Sequence, residues 1–432
     1  MSKIPKENSF DSTLSLLKEG YTFIPSRRKR LQSDIFQTRL MGKKVICMGG
    51  KEAAELFYDP AKFERKGALP KRIKNTLLGQ KGVQTLDGEE HHHRKALFMS
   101  FMTKNNIQEL LDYFRIYWHE YMGKWEQEDQ IRLFDEVQEI LCRAACAWTG
   151  IPIEDKEVAS KAQDFSAMVD AFGAAGPRHR RGKQARKRME AWIEGLVVLI
   201  REKKLIIPKN MPSYNICWHK DMDGELLDTP VAAVEIINLI RPIVAIATYI
   251  TFSALALHRY PDQKEKIKNG DVDHVHRFIQ EIRRFYPFGP FLGAHVRDGF
   301  EWQGFKFKKG TLTLLDIYGT NRDPAIWDFP DQFNPDRFLE WSGSPFDFIP
   351  QGGGDHYFGH RCAGEWITIE MAKMALLFFV KNMTYKVPDQ DLSFDLSRMP
   401  TKPKSRFIIT EIKSVDISNI VASEAFEMKF TH

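Results

Sequence analysis

A glycine-rich loop that ends in a cysteine is the strongest structural signal in this chain of 432 residues. Three glycines, Gly352–Gly354, precede Cys362, and a long apolar stretch begins shortly after it, at Glu365. The apolar residues of that stretch recur at helical spacing, so the sequence predicts that Cys362 lies at the N-terminus of a buried helix. A helix N-terminus favours an anion, and glycines let backbone N–H groups approach the sulfur. Arg361 and His360 are expected to add positive charge.

These features favour a thiolate that binds a metal ion, because a thiolate is a soft, strongly donating ligand. Two other interpretations stay open on this segment alone. One is an inert buried cysteine, and the other is a flexible or phosphate-binding glycine loop. A phosphate-binding loop normally ends in Gly-Lys followed by Ser or Thr, and that ending is absent here.

Periodicity along the chain predicts a mainly α protein with small β-sheets, an α+β architecture. The predicted segments are short strands at 21–50, helices over most of 91–290, strands at 291–318, irregular structure at 319–350, a long helix after Cys362 and short strands to about residue 410. No repeat or long linker interrupts the chain, so we expect a single domain at 1–412. A tail at 413–432 follows, and the sequence does not set its role.

The composition predicts a large apolar core and a cytoplasmic protein. Hydrophobic residues make up 43% of the chain, including 31 phenylalanines, which suits a large apolar pocket. The five cysteines are an odd, low number without a recognisable signal peptide, which is typical of reduced thiols in the cytoplasm. The most apolar run, 231–257, contains Glu235, Arg241 and Pro242, so no integral membrane segment is expected.

The net charge of +6 is modest, and the basic residues concentrate in two clusters, Arg27–Arg30 and Arg178–Arg188. We interpret both clusters as a solvated loop and a solvated helix face. Attraction of an anionic substrate or a membrane surface is the alternative. No nucleic-acid motif accompanies them, so a nucleic-acid partner is not expected.

Three further motifs accompany the cysteine loop. Glu281 and Arg284 are three residues apart, which places a carboxylate and a guanidinium on one helix face. A segment rich in Pro and Asp, Trp327–Phe338, follows them. His91 and Lys95 lie one turn apart at the start of an apolar helix. Taken singly, these motifs are an ordinary surface ion pair, a loop and a solvated or adventitious metal-binding helix start.

Together, in this order, the four motifs resemble those of the cytochromes P450, the haem-thiolate superfamily, over roughly residues 20–412. The resemblance implies a triangular, helix-rich haem domain in which Cys362 binds the iron of haem b. It also implies a structural lock in which Arg337 contacts Glu281 and Arg284. The cofactor contacts that it implies besides Cys362 are His91, Lys95, Arg65 and Arg361.

The cysteine loop departs from the usual pattern of this superfamily, which places Phe, Gly and Arg seven, four and two residues before the cysteine. Here those positions hold Asp355, Phe358 and His360, and only Gly364 fits. The loop instead resembles the bacterial fatty-acid peroxygenase branch. Ordinary oxygen-activating members carry an acid–alcohol pair above the haem, whereas this chain has Arg241-Pro242, as that branch does.

Arg241 lies in an apolar run, and an unpaired buried guanidinium costs on the order of several kcal/mol, so it needs an anion. Glu235 is a poor partner, because six residues place it about 240° away around the helix. The anion is then a substrate carboxylate, held bidentately, or else a haem propionate or a distant glutamate. Pro242 cannot donate to the carbonyl of Asn238, so a kink is expected there.

The branch resemblance implies a hydrogen-peroxide-dependent fatty-acid peroxygenase that hydroxylates long-chain fatty acids at the α or β carbon. Decarboxylation to terminal alkenes is a second outcome, and no obligatory redox partner is expected. Gln84, where decarboxylating relatives often carry His, favours hydroxylation, so Arg241, Pro242 and Gln84 are the implied catalytic residues. The implied substrate-pocket residues are Leu78, Val169, Phe172, Phe288, Gly289, Pro290 and Phe291. The alternatives are a conventional fatty-acid monooxygenase fed by ferredoxin or flavodoxin and a non-enzymatic haem-based lipid carrier or sensor.

Overall fold

The structure, a computed structural model, describes residues 3–269 and 272–415. Most of the predicted tail, from residue 416 onward, lies outside the described residues. Helices dominate the described part of the chain. The α-helices are α1 (Thr13–Glu19), α2 (Phe23–Leu31), α3 (Lys51–Phe57), α4 (Lys71–Ile73), α5 (Gly88–Ser100), α6 (Lys104–Trp125), α7 (Leu133–Thr149), α8 (Asp155–Asp170), α9 (Gly176–Arg201), α10 (Pro212–Cys217), α11 (Thr229–Ala245), α12 (Ala247–Arg259), α13 (Pro261–Lys268), α14 (Val272–Phe285), α15 (Ile317–Thr320) and α16 (Glu365–Leu377).

The strands form three small sheets. The strands are β1 (Ile35–Leu40), β2 (Lys43–Met48), β3 (Phe63–Glu64), β4 (Gln130–Arg132), β5 (Phe291–Val296), β6 (Phe300–Trp302), β7 (Phe305–Phe307), β8 (Leu312–Asp316), β9 (Met383–Lys386) and β10 (Ile408–Ser414). The largest sheet has the order β1-β2-β8-β5-β3, and only its β2–β8 pair is parallel. A second sheet has the order β4-β10-β9, and β6 and β7 form a hairpin. The predicted α+β architecture is confirmed.

The helices α11 and α12 form the central axis of the core, with α7, α9 and α16 packed around them. Local signals set the ends of these elements. Asp135 and Glu136 lie in the first turn of α7, where acidic side chains are favourable, and Gly150 ends it with φ +77°. Pro177 occupies the start of α9, where its missing N–H costs nothing. These signals fix where α7 ends and where α9 begins.

The most apolar run of the chain, 231–257, for which no membrane segment was expected, is part of this core. Among the described residues, Thr229–Arg259 alone has the length and hydropathy of a membrane span, and 94% of its most apolar window is buried inside the protein. Pro242 lies inside α11, and the helix is interrupted at Ile246 rather than at Asn238. The break therefore falls about two turns after Asn238, where the kink was expected, and one turn after Pro242.

The prediction of strands across 21–50 is wrong for residues 21–34. Residues 23–31 form α2, and strands begin only at Ile35. Phe23, Ile24 and Arg27 share the buried face of α2, a spacing typical of a helix rather than a strand. Pro25 lies in the first turn, where a helix tolerates it. The strands predicted at 291–318 and the helix after Cys362 are confirmed.

Candidate active site

The loop before α16 holds the Cys362 sulfur in place through a glutamine. The Cys362 N–H donates to the carbonyl oxygen of Gln351 at 3.0 Å. The side-chain amide of the same glutamine contacts the sulfur as well. Its Nε2 lies 3.8 Å from Cys362 Sγ and donates to Thr368 Oγ1 at 3.0 Å. Burial raises the pKa of the Cys362 thiol, and the charge of Lys95 opposes that rise. A bound cation is therefore the natural partner for this sulfur as a thiolate.

The positive charge expected from His360 is not available to the sulfur, and that of Arg361 is shared with Glu365. Burial lowers the pKa of His360 to about 4, so it is neutral near pH 7. Its ring stacks on His91 at 3.9 Å and contacts Asp87 at 3.4 Å. The Arg361 Nε donates to Glu365 at 2.6 Å. Lys95 is the main cation that stabilises the thiolate, which corrects the prediction made from the adjacent residues.

A buried ion pair fastens the loop to α14. Burial alone would raise the pKa of Glu365, but Arg283 and Arg361 outweigh it and lower the pKa to about 2. Arg283 also donates to Gln351 at 3.2 Å, so one guanidinium orients both the helix start and the glutamine. The sequence analysis missed Gln351, Arg283 and Glu365. Two of them could have been found from their positions in the sequence. Arg283 stands beside Arg284, and Glu365 stands at the start of the predicted helix after Cys362.

Two buried cations on the same side of the molecule lack a carboxylate partner among the described residues. Arg65 is 8% exposed; its Nη1 donates to the Gly293 carbonyl at 3.1 Å and its guanidinium faces the Phe57 ring at 4.2 Å. Lys95 is also buried and donates to the Arg361 carbonyl. Burial lowers the pKa of Lys95 to about 8. Such cations fit the two carboxylates of a haem whose iron is bound by Cys362.

The predicted structural lock is present. Glu281 receives two hydrogen bonds from Arg284, at 2.6 and 2.8 Å, and Arg337 Nε lies 3.2 Å from the same carboxylate. Both arginines also donate to the carbonyl of Gln332. Glu281 is fully buried, so its charge depends on these two partners. The lock joins α14 to the irregular segment before the cysteine loop.

On the other side of the core, Arg241 is 5% exposed and has no carboxylate partner among the described residues. Its Nη1 donates to the Leu77 carbonyl, while Nε and Nη2 have no hydrogen-bond partner within the described part of the chain. Burial, and to a lesser extent the nearby charge of Arg186, lower the pKa of Arg241 to about 9, whereas Cys362 opposes the shift. The Nε–Nη2 edge has the geometry that binds a carboxylate through two hydrogen bonds.

Glu235 does not serve as that carboxylate, as its helix position predicted. Its oxygens accept from Arg94 Nη1 at 2.9 Å, from the Val83 N–H at 2.9 Å and from Asn238 Nδ2 at 3.1 Å. Asn238 also donates to Gln84 Oε1 at 3.2 Å. The Gln84 Nε2 has no hydrogen-bond partner among the described residues and is free to donate. The network therefore ties the Gln84 amide to Asn238 of α11, the helix that also carries Arg241.

Arg186 is a second buried arginine that the sequence analysis missed. It belongs to the basic cluster predicted to be solvated, yet it is 2% exposed. Its Nε pairs with Glu190 at 2.6 Å, and its Nη1 donates to the Leu77 carbonyl at 3.1 Å. Gly79 makes room for it, because a Cβ there would lie 2.2 Å from Arg186 Nη2. The signal was the position of Arg186 between Ala185 and Met189 on the apolar face of α9.

The residues predicted for the substrate pocket are half-buried or buried, and several are in contact. The Phe172 and Phe291 rings lie 6.0 Å apart, and Phe288 packs on Tyr249 of α12 at 4.9 Å. Leu78 ends a π-helical turn, Lys74–Leu78, next to the Leu77 carbonyl. Gly289 and Pro290 lie between Phe288 and Phe291 in the sequence. Val169 lines a small cavity together with Ser166 and Thr248.

Comparisons with known proteins agree with this geometry. Residues 265–409 match the family model "Cytochrome P450". The structure superposes on cytochrome P450EX alpha (CYP152N1) with myristic acid with a TM-score of 0.93 and 46% identity, covering 96% of this chain and 100% of that one. It also superposes on cytochrome P450 OleT in complex with arachidonic acid, with a TM-score of 0.93 and 36% identity over 96% of this chain and 100% of that one.

A curated relative of Arabidopsis thaliana, the bifunctional dihydrocamalexate synthase/camalexin synthase, is 36% identical over 126 residues. That match covers 27% of this chain and 26% of the plant protein, so the chain spans about a quarter of the length of the first curated relatives. These two solved structures are instead matched over their full length. The chain belongs to the cytochrome P450 family and is a haem-thiolate oxidoreductase. Within that family it groups with the CYP152 enzymes.

Proposed function

We propose that this protein is a fatty-acid peroxygenase that uses hydrogen peroxide to hydroxylate long-chain fatty acids at the α or β carbon. The observation that carries the proposal is the free Nε–Nη2 edge of Arg241, a buried cation with no carboxylate partner among the described residues. The solved relatives bind myristic acid and arachidonic acid, whose head groups are carboxylates. A fatty-acid carboxylate is therefore the anion that this site takes.

Haem b, bound through Cys362, supplies the oxidising chemistry, and peroxide supplies the oxygen atom. The residues of the chain position the substrate for it. A carboxylate bound at Arg241 tethers the acid by its head, so the α and β carbons are the first to reach the reacting centre. Regiochemistry then follows from the position of the guanidinium rather than from the shape of the tail pocket.

Proton transfer is the task that the acid–alcohol pair performs in ordinary members of the superfamily. Arg241 and Pro242 occupy that part of α11 here, and neither side chain is an acid. The substrate carboxylate, held at Arg241, accepts a proton from peroxide and returns it to the departing oxygen as water. This makes the substrate a participant in its own oxidation. No redox partner is needed, because hydrogen peroxide already contains the two electrons that a partner would deliver to dioxygen.

Gln84 bears on the choice between hydroxylation and decarboxylation. Its amide is held by Asn238 and cannot titrate, so it is a neutral hydrogen-bond donor at every physiological pH. We assign hydroxylation as the main outcome and the terminal alkene as a minor one. Because the apolar stretch Thr229–Arg259 is a core helix, we place the enzyme in the cytoplasm rather than in a membrane.

The proposal is tested with Arg241→Gln, which removes the charge and keeps hydrogen-bonding capacity. Peroxide-driven oxidation of a long-chain fatty acid should fall by at least about 100-fold, because the buried charge pair is lost. The matched control is Arg188→Gln on α9, whose side chain is 57% exposed and pairs with Asp164. Unchanged oxidation by the Arg241 variant would refute the proposal, and equal losses in both variants would also contradict it.

A further inference from the structure

The glutamine beside the cysteine sulfur has an orientation that its neighbours fix. A guanidinium can only donate, and Arg283 Nε donates to Gln351 Oε1 at 3.2 Å, so the amide oxygen is turned towards Arg283. The amide nitrogen, Nε2, therefore lies at the other corner of the amide, 3.8 Å from Cys362 Sγ. The sulfur faces an N–H group of this side chain and not its carbonyl oxygen.

A threonine of α16 holds the same amide nitrogen. The Thr368 hydroxyl donates to the Gly364 carbonyl at 3.1 Å, which leaves its oxygen to accept from Gln351 Nε2 at 3.0 Å. An amide nitrogen carries two hydrogens, so one bonds Thr368 and the other is available to the sulfur. The backbone fixes the glutamine as well, because its carbonyl accepts from the Cys362 N–H at 3.0 Å.

A buried ion pair polarises this amide. Arg283 and Glu365 are each 2% exposed and form a salt bridge. A cation at the oxygen end of an amide draws electron density towards that oxygen, and the N–H at the other end becomes a stronger donor, above all in an interior of low dielectric constant. The positive charge of Arg283 therefore strengthens the hydrogen bond from Gln351 to the Cys362 sulfur.

The other groups around the sulfur act differently from Gln351. The ammonium of Lys95 donates to the Arg361 carbonyl, so Lys95 influences the sulfur through its charge and not through a hydrogen bond. The Gly364 N–H is a backbone donor to the sulfur, which stays in place whatever side chain occupies position 351. The hydrogen bond from Gln351 is thus one that a single substitution removes while the cysteine loop keeps its backbone donor.

We propose that Gln351 is a positioning residue that sets how strongly the Cys362 thiolate donates electrons to the haem iron. A hydrogen bond to a metal-bound thiolate withdraws electron density from the sulfur, and such bonds tune the reduction potential of the metal centre. The inference rests on the haem-thiolate class of the enzyme, and it does not depend on which substrate or oxidant the enzyme uses.

The test is Gln351→Met in the haem-loaded enzyme, because methionine has a similar length and no hydrogen-bond donor. Two quantities are measured without fatty acid or peroxide. These are the ferric–ferrous reduction potential and the absorption maximum of the ferrous enzyme with carbon monoxide. The potential should become more negative and the absorption maximum should move to longer wavelength, since a thiolate with one hydrogen bond fewer donates more strongly.

The matched control is Gln280→Met. Gln280 is a buried glutamine that also accepts from Arg283, but its amide nitrogen contacts His276 at 3.2 Å and not the sulfur. This variant loses the same kind of bond to the same arginine, so it should leave the potential and the absorption maximum unchanged. It separates the hydrogen bond to sulfur from a general loosening of the core around Arg283.

Gln351→Glu is the second variant, and it decides the question if Gln351→Met fails to bind haem. A glutamate keeps the contact with Arg283 and cannot donate to the sulfur, so both quantities should shift in the same direction as in Gln351→Met. Unchanged values in the Gln351 variants, or equal shifts in Gln280→Met, would overturn the inference. Failure of the wild type to oxidise fatty acids with peroxide would refute the proposed function instead, and these spectroscopic comparisons would still decide the role of Gln351.

Discussion

Arg186 of α9 and Arg241 of α11 both donate to one acceptor, the carbonyl oxygen of Leu77, so the two buried guanidinium groups are close neighbours. Like charges at this distance repel in a core that water does not reach. Arg186 is partly neutralised by Glu190, whereas Arg241 has no carboxylate among the described residues. A substrate carboxylate at Arg241 therefore gains attraction from both cations.

Replacement of Arg186 should weaken fatty-acid binding without stopping catalysis. In Arg186→Gln we expect the Kd for a long-chain fatty acid to rise several-fold, because one of two neighbouring cations is lost. The kcat with peroxide should change by less than about twofold, since Arg186 does not touch the reacting atoms. Titration by haem absorption and steady-state kinetics measure the two effects. An unchanged Kd would show that Arg186 acts on the fold of the Lys74–Leu78 turn alone.

The lowered pKa of Arg241 predicts an unusual alkaline limit for substrate binding. Binding needs the charged guanidinium, and the fatty-acid carboxylate stays ionised throughout this range. The Kd should therefore be constant between pH 6 and 8 and rise above about pH 9, as Arg241 loses its proton. In Arg241→Lys the rise should begin at lower pH, because lysine is the weaker base. A Kd independent of pH up to about 11 would contradict the assignment.

The lock around Glu281 should be necessary for stable folding. In Glu281→Gln we expect a loss of about 3–5 kcal/mol, because Arg284 and Arg337 lose their shared charge partner in the core. Thermal unfolding and the haem content of the purified protein measure the loss. Glu265→Gln, at an exposed position on α13, is the control and should behave like the wild type. Similar stability of the two variants would show that the lock is dispensable.

The amide at position 84 should influence the product. In Gln84→His we expect the fraction of terminal alkene to rise at the expense of hydroxy acid, because an ionisable donor replaces a neutral amide. The hydrogen bond from Asn238 can be kept by an unprotonated imidazole nitrogen. Mass spectrometry of products from one fatty acid, wild type beside variant, gives the ratio. An unchanged ratio would mean that Gln84 positions the substrate without affecting the branch point.

The family and fold were predictable because short motifs with a fixed chemistry occur in a fixed order. Each motif combines a local conformation with an interaction that can be inferred from the residue types. These motifs are the Glu281–Arg284 spacing, the Arg337 segment and the Cys362 loop. Arg241 was predictable for a similar reason, since a guanidinium in an apolar helix must find an anion.

The failures depend on tertiary environment. The charge of His360 could not be predicted, because its pKa is set by burial and by Asp87 and Arg65, which are remote in sequence. Arg186 looked solvated because most of its basic neighbours are, and only the packing of α9 against α11 buries it. Gln351 carries no pattern of its own, and its contact with the Cys362 sulfur follows from the loop conformation.

The central claim is tested most directly by incubating the purified, haem-loaded protein with a long-chain fatty acid and hydrogen peroxide, with no reductase present. Mass spectrometry should detect 2- or 3-hydroxy acids as the main products, with little terminal alkene. An absence of product that is reversed by adding ferredoxin and its reductase would contradict the account. It would mean that Arg241 and the substrate carboxylate do not replace the acid–alcohol pair.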